Sequence, residues 1–150
     1  MITGEYRYSL DEKGRMMIPA KVRGDITGNV LVLTRGIDRC LWLFPPEEWK
    51  SHSQKLLEST SLFHEKDRLI HRRIIAPAQE VDIDRSGRIV IPPTLRQYGG
   101  LRKDCIVLGM LTHLEVWDEE TYGEYWDASE DRFLEAAEEI GDRLRTTEAR

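Results

Sequence analysis

Two short stretches of this chain place cations beside a glycine at a spacing suited to holding an anion. The first is Lys13-Gly14-Arg15 and the second is Arg85-Ser86-Gly87-Arg88. Glycine accepts the positive φ of a tight turn without steric cost. An aspartate three residues before each glycine, Asp11 or Asp84, is a turn-starting residue. Such a loop would send Lys13, Arg15, Arg85 and Arg88 outward from the tip of a two-stranded ribbon. A guanidinium pairs bidentately with guanine or phosphate, while an ammonium acts as a point charge. A β-ribbon is also narrow enough to enter the major groove. Double-stranded DNA is therefore the partner these residue types suit. The plainer alternative is an ordinary hairpin whose cations are solvated or pair with Asp11 and Asp84.

What favours the first reading is repetition. Residues 11–23 return as residues 84–96, 73 positions later, and six of thirteen pairs are identical: Asp11/Asp84, Gly14/Gly87, Arg15/Arg88, Ile18/Ile91, Pro19/Pro92 and Arg23/Arg96. Composition alone gives about one match. The flanks agree too, with Leu10 against Ile83, Gly36 against Gly109, Leu41 against Leu114 and Phe44 against Trp117. One supersecondary unit has been written twice.

The elements that must hold the loops follow from periodicity. Tyr6, Tyr8 and Leu10 alternate with Arg7 and Ser9, which predicts a half-buried strand before the first loop. Residues 15–18 resume as a strand, Pro19 suits a helix start, and residues 30–33 and 41–44 read as two more strands. The second copy follows the same order, giving β-turn-β-helix-β-β twice. Helices are expected at 47–59 and 61–73, the latter with Leu62, Phe63, Leu69 and Ile70 on one seam. Tyr122, Trp126, Ser129, Phe133, Ala137, Ile140 and Leu144 recur at threes and fours, which predicts one long amphipathic helix. Residues 146–150 read as frayed. The division expected is 4–50 for the first repeat, 51–76 for connecting helices, 77–120 for the second repeat and 121–145 for the C-terminal helix. Each repeat is too short to bury a comfortable core, so the copies should fold against each other.

Charge is uneven. Residues 115–150 carry thirteen acids against four bases, whereas residues 1–114 carry eighteen bases against fourteen acids. The body is mildly basic and the tail strongly acidic, which permits a basic face. The longest apolar run, residues 40–44, is far below a membrane span, and the start of the chain lacks a signal-peptide core. Cys40 and Cys105 belong to no CxxC and read as buried thiols of a cytoplasmic protein.

Enzyme chemistry finds no support. His52, His64, His71 and His113 form no metal-ligand set, because His64-Glu65 lacks the second histidine of HExxH. There is no GxSxG, P-loop or GxGxxG, so neither a cofactor nor a small-molecule substrate is expected. Asp11/Asp84 and Asp38/Asp104 could be imagined as paired acids, but turn formation is the commoner role of such aspartates. Trp42, Trp49, Trp117 and Trp126 fall in the apolar pattern and read as core or interface. Arg68, Arg72 and Arg73 form a small basic cluster on a helix, read as a solvated face or a lesser DNA contact.

LDEKGRMMIPAKVR and IDRSGRIVIPPTLR resemble the signature of the AbrB-like, swapped-hairpin DNA-binding fold. Two copies with helices after each resemble the MraZ family of bacterial regulators, over residues 4–144. The resemblance implies an α+β, mainly β fold in which two AbrB-like repeats interleave hairpins in one pseudo-twofold, β-barrel-like core with peripheral helices. It further implies a cytoplasmic, nucleoid-associated repressor of the division and cell-wall gene cluster. That protein would form a homo-oligomeric ring on repeated sites in its own promoter. The loop residues Lys13, Arg15, Arg85 and Arg88 would contact DNA, with Gly14 and Gly87 shaping the loops. The second loop departs from the family pattern at Ser86. An antitoxin module shares the fold but usually adds a disordered tail, whereas this tail is periodic.

Overall fold

The computed structural model describes residues 2–148, and eight strands and six α-helices are found among these described residues. The first repeat comprises β1 (Glu5–Ser9), β2 (Arg15–Met17), α1 (Ala20–Asp25), β3 (Val30–Arg35) and β4 (Leu41–Phe44). The second comprises β5 (Gln79–Asp82), β6 (Arg88–Val90), α4 (Pro93–Gly99), β7 (Asp104–Gly109) and β8 (Leu114–Asp118). Between them lie α2 (Pro46–Glu58), α3 (Glu65–Ile70) and a π-helical turn, His71–Ile75. The predicted order of elements is present in both copies.

Their pairing differs from the local hairpin expected. β1 and β2 do not pair with each other. β1 runs antiparallel to β7 of the other repeat, and β5 runs antiparallel to β3. β2 pairs with β6, so the second strands of the two copies form their own two-stranded ribbon. The large sheet has the order β1-β7-β8-β4-β3-β5. Exchanging the repeats reverses that order into itself, which is the mark of a pseudo-twofold axis passing between β4 and β8. Every strand flanking a loop is thus paired outside its own hairpin.

The core confirms the symmetry residue by residue. Met16 and Ile89, Ile18 and Ile91, Val22 and Leu95, Leu41 and Leu114, and Leu43 and Val116 are all buried in one cluster. Strands β1 and β2 present alternating faces, so Leu10 and Met16 point inward while Arg7 and Ser9 are exposed. Burying such a set from both copies removes far more apolar surface from water than either could alone.

Three local expectations need correction. β3 matches β7 at an offset of 74 rather than 73, since Val30 opposite Asp82 corresponds to Asp104 opposite Ser9. Gly36 and Gly109 are therefore not structural equivalents; the loop between β7 and β8 absorbs the extra step. The helix expected over 61–73 begins only at Glu65, because Ser61 ties the preceding turn to Asp67 through its N–H (2.8 Å). Its seam residues Leu62, Phe63, Leu69 and Ile70 are exposed.

The chain divides after Glu119 into two compact units. In the second, the single predicted helix is two, α5 (Glu119–Ala128) and α6 (Glu130–Glu148), interrupted at Ser129. Residues 146–148 are helical rather than frayed, and 149–150 lie outside the described residues. Trp126, Phe133, Leu134, Ile140 and Leu144 are all exposed on this unit. Among the tryptophans, Trp117 is buried, Trp42 and Trp49 are half-buried and Trp126 is exposed.

Candidate nucleic-acid interface

Each loop is built by its aspartate. Asp11 Oδ1 accepts the N–H groups of Lys13 and Arg15, both at 2.9 Å. The backbone closes the same turn, with Asp11 N–H donating to the Arg15 carbonyl at 3.0 Å and Gly14 N–H to the Asp11 carbonyl at 3.0 Å. Asp84 repeats the pattern, accepting from Ser86 at 2.9 Å and Arg88 at 3.0 Å. The Arg15 N–H holds the Asp11 carboxyl below its ordinary range, and the Arg88 N–H does the same for Asp84. These aspartates are turn builders, not a hydrolytic pair. Because the second loop has the same backbone, Ser86 changes its charge and not its shape.

Gly14 has φ +75° and Gly87 has φ +83°, so both turns use the left-handed region that favours glycine. Both glycines are nonetheless buried, although they sit in loops. The cover comes from the opposite repeat: the Arg96 guanidinium lies over Gly14 and that of Arg23 over Gly87. Arg23 and Arg96 are matched positions of the sequence repeat whose task the sequence alone does not reveal. The cross-repeat pairing of β2 with β6 is what carries each to the other's loop.

That ribbon is the element the cations decorate. Arg15 lies opposite Val90, Met16 opposite Ile89 and Met17 opposite Arg88. Two further bonds lengthen it, Ile91 N–H to the Gly14 carbonyl (2.9 Å) and Ile18 N–H to the Gly87 carbonyl (2.8 Å). Since Met16 and Ile89 are buried, alternation turns Arg15, Met17, Arg88 and Val90 to the outer face. The ribbon expected from β1 and β2 exists, but it is made by β2 and β6. Its loops stand at opposite ends, roughly 13 Å apart at ~3.3 Å per residue.

The four site cations differ in freedom. Lys13 and Arg85 are exposed at the loop tips. Arg15 is half-buried, and its Nε is 2.6 Å from Asp11 Oδ2. Arg88 is looser, with Nε 3.5 Å from Asp84 and Nη1 3.7 Å from Asp11, an ion pair across the two repeats. Arg15 therefore spends its Nε on Asp11 and leaves the terminal nitrogens of its fork to meet a ligand. Arg68, Arg72 and Arg73 lie elsewhere, on α3 and the π-helical turn, with Arg68 Nη1 donating to the Leu62 carbonyl at 3.0 Å.

Other reactive groups are accounted for by packing. His113 stacks on Phe44 at 4.7 Å, His52 tilts against the same ring at 5.1 Å, and both meet Trp42 edge-on. Burial lowers the His113 pKa. Burial also raises both thiols, Cys105 to about 12, so neither Cys40 nor Cys105 is a thiolate near neutrality. Among the described residues, no group of three His, Cys, Asp or Glu could hold a metal ion. No helix there is long and apolar enough to cross a membrane.

Two strand-exchanged copies of one small unit, each presenting an Asp-built, Arg-bearing loop on a shared ribbon, define a tandem-repeat regulator of the swapped-hairpin class. The family model described as "MraZ protein, putative antitoxin-like" matches twice, over residues 1–73 and 74–144. Transcriptional regulator MraZ of Treponema denticola is 49% identical over 141 residues, covering 94% of this chain and 98% of that protein. Transcriptional regulator MraZ of Treponema pallidum is 47% identical over 140 residues, covering 93% of this chain and 94% of its own. The chain belongs to the MraZ family. It is accordingly a transcriptional regulator and not an enzyme.

Proposed function

We propose that this chain represses transcription by binding specific double-stranded DNA through the outer face of the β2–β6 ribbon. The observation that carries the reading is the placement of Arg15 and Arg88 on that face, one from each strand, with Lys13 and Arg85 at its two ends. Arg15 and Arg88 supply bidentate donors for guanine edges, and Lys13 and Arg85 supply charge for phosphates. Gly14 and Gly87 shape the loops that carry them. The spacing of the loops fits a short site of roughly four base steps at ~3.4 Å per step.

One such ribbon neutralises few phosphates, because Asp11 and Asp84 offset part of its charge. Firm binding then requires several ribbons at once. The exposed apolar residues of α3 and of the second unit support self-association, and family resemblance supports a homo-oligomeric ring. A ring presenting identical ribbons turns later contacts into intramolecular ones and raises avidity about 10²–10⁴-fold. It would act on direct repeats in its own promoter, within the division and cell-wall gene cluster, as a cytoplasmic, nucleoid-associated protein. The functional parts are residues 4–50 and 77–120 for DNA, with 51–76 and 121–145 for assembly. The helical tail argues against the toxin-wrapping segment of an antitoxin. Genome-wide mapping of bound DNA tests the proposal: peaks confined to repeats upstream of its own operon support it, and uniform binding with no such peak refutes it.

A further inference from the structure

The buried state of two loop glycines points to a device linking the repeats. A methyl group placed on Gly14 would lie 2.9 Å from Cζ and 3.0 Å from Nη1 of Arg96. One placed on Gly87 would lie 2.3 Å from Nη1 and 2.5 Å from Cζ of Arg23. Each guanidinium therefore fills the space that a side chain on the opposite loop's glycine would need. Neither side chain makes a hydrogen bond or ion pair among the described residues, and the Nε of each is buried without an acceptor. A buried donor left unpaired is unfavourable, so this contact is not explained by hydrogen bonding of the arginine itself. A guanidinium face, unlike an ammonium, is weakly hydrated and packs well on planar groups.

We infer that Arg96 and Arg23 are positioning residues that latch the opposite repeat's DNA-reading loop, so that each reading head is a composite of both repeats. Loop one is clamped between its own Asp11 and the second repeat's Arg96. Loop two is clamped between Asp84 and the first repeat's Arg23. The latch sets where Lys13 and Arg15, or Arg85 and Arg88, stand relative to the ribbon. The inference rests on the DNA-binding reading for its consequence, but not for its geometry.

The test is a pair of crossed double-mutant cycles in the full-length protein, read by thermal melting without DNA and by fluorescence anisotropy on a duplex from its own promoter. Gly14→Ala should lower the melting temperature. Adding Arg96→Ala should recover part of that loss, whereas adding Arg23→Ala should not; for Gly87→Ala the roles reverse. On DNA, Arg96→Ala should weaken binding about tenfold with the salt dependence unchanged, because no phosphate contact is removed. Arg96→Lys should not rescue it, since lysine keeps the charge but not the plane. Coupling of Gly14 to Arg23 instead of Arg96, or no coupling, overturns the latch. So does rescue by lysine, or a reduced salt slope, either of which would make Arg96 a direct phosphate contact. If the wild type ignores the duplex, the DNA-binding reading fails while the melting cycle still decides the latch.

Discussion

Replacing Arg15 by alanine tests the interface most directly. Its Nε is fixed 2.6 Å from Asp11 Oδ2, and that carboxylate is itself fixed by two backbone N–H groups. The fork is thus oriented before DNA arrives, and little side-chain freedom remains to be lost on binding. A bidentate contact to a base is worth about 1–3 kcal/mol, or roughly 5- to 150-fold in affinity per engaged loop. Truncation has a second effect, because Asp11 is left facing the phosphates with only Arg88 nearby, 3.7 Å away. The double variant Asp11→Asn/Arg15→Ala separates the two: asparagine keeps an oxygen for the loop N–H groups but carries no charge. It should bind more tightly than Arg15→Ala, by a modest factor in keeping with the roughly 0–1 kcal/mol of exposed charge pairs. Arg88→Ala should cost less than Arg15→Ala, since its contacts of 3.5 and 3.7 Å orient it less firmly. Anisotropy titrations from 50 to 300 mM salt, alongside circular-dichroism melts, measure all of these. An Arg15→Ala protein that melts normally and binds within twofold of wild type refutes the reasoning.

Gly14→Val should lose both binding and stability, because φ +75° costs a β-branched residue about 1–2 kcal/mol and its side chain meets Arg96; unchanged melting would show that the turn tolerates a side chain. Stability should fall as pH drops below 6.5, the unfolded value for His113, through the lower folded value that burial imposes. The folded state then holds fewer protons than the unfolded one, so the contribution is complete above 6.5; melts from pH 5 to 7.5 in which His113→Gln shows the same slope would contradict this. Deleting residues 120–150 should reduce oligomer size in light scattering, given the exposed Trp126, Phe133 and Ile140, while leaving weak duplex binding; an unchanged assembly would remove the tail from that role. Inserting about half a helical turn, roughly 5 bp, between operator repeats should weaken binding far more than a whole turn of roughly 10 bp, and indifference to spacing would sink the multivalent mechanism.

Much of this molecule was legible because the chain contains its own comparison. A lone Lys-Gly-Arg says little, but the same turn before the same Ile-Pro and Arg made the element order of both copies readable. Periodicity alone pointed to a local β1–β2 hairpin, whereas the resemblance to the swapped-hairpin fold implied the interleaving that the strands adopt. Periodicity reports which face of a strand is buried, not which strand lies beside it, and β1 meets the same local requirements beside β7 as beside β2. With two near-copies in one chain, exchanged and unexchanged pairings bury the same residue types. The tasks of Arg23 and Arg96 were hidden for the same reason, since they depend on that exchange. The break at Ser129 was hidden because apolar spacing continues across it.

Strand exchange has a consequence for how the proposed DNA-binding face is made. In a local hairpin, each repeat would own a complete ribbon, and losing one would leave the other intact. Here the ribbon has one strand from each repeat, its ladder ends on the opposite loops through Ile18 and Ile91, and Asp11 pairs with an arginine from either copy. Neither repeat can present Arg15 or Arg88 on a paired strand without the other. Covalent linkage then matters, because it holds the two halves at an effective concentration that free half-chains would reach only at about millimolar levels. It also lets the two loops diverge in sequence, Lys13 against Ser86 and Glu12 against Arg85, while sharing one backbone. A symmetric pair of identical chains would present two identical loops on that ribbon; a tandem repeat presents two different ones.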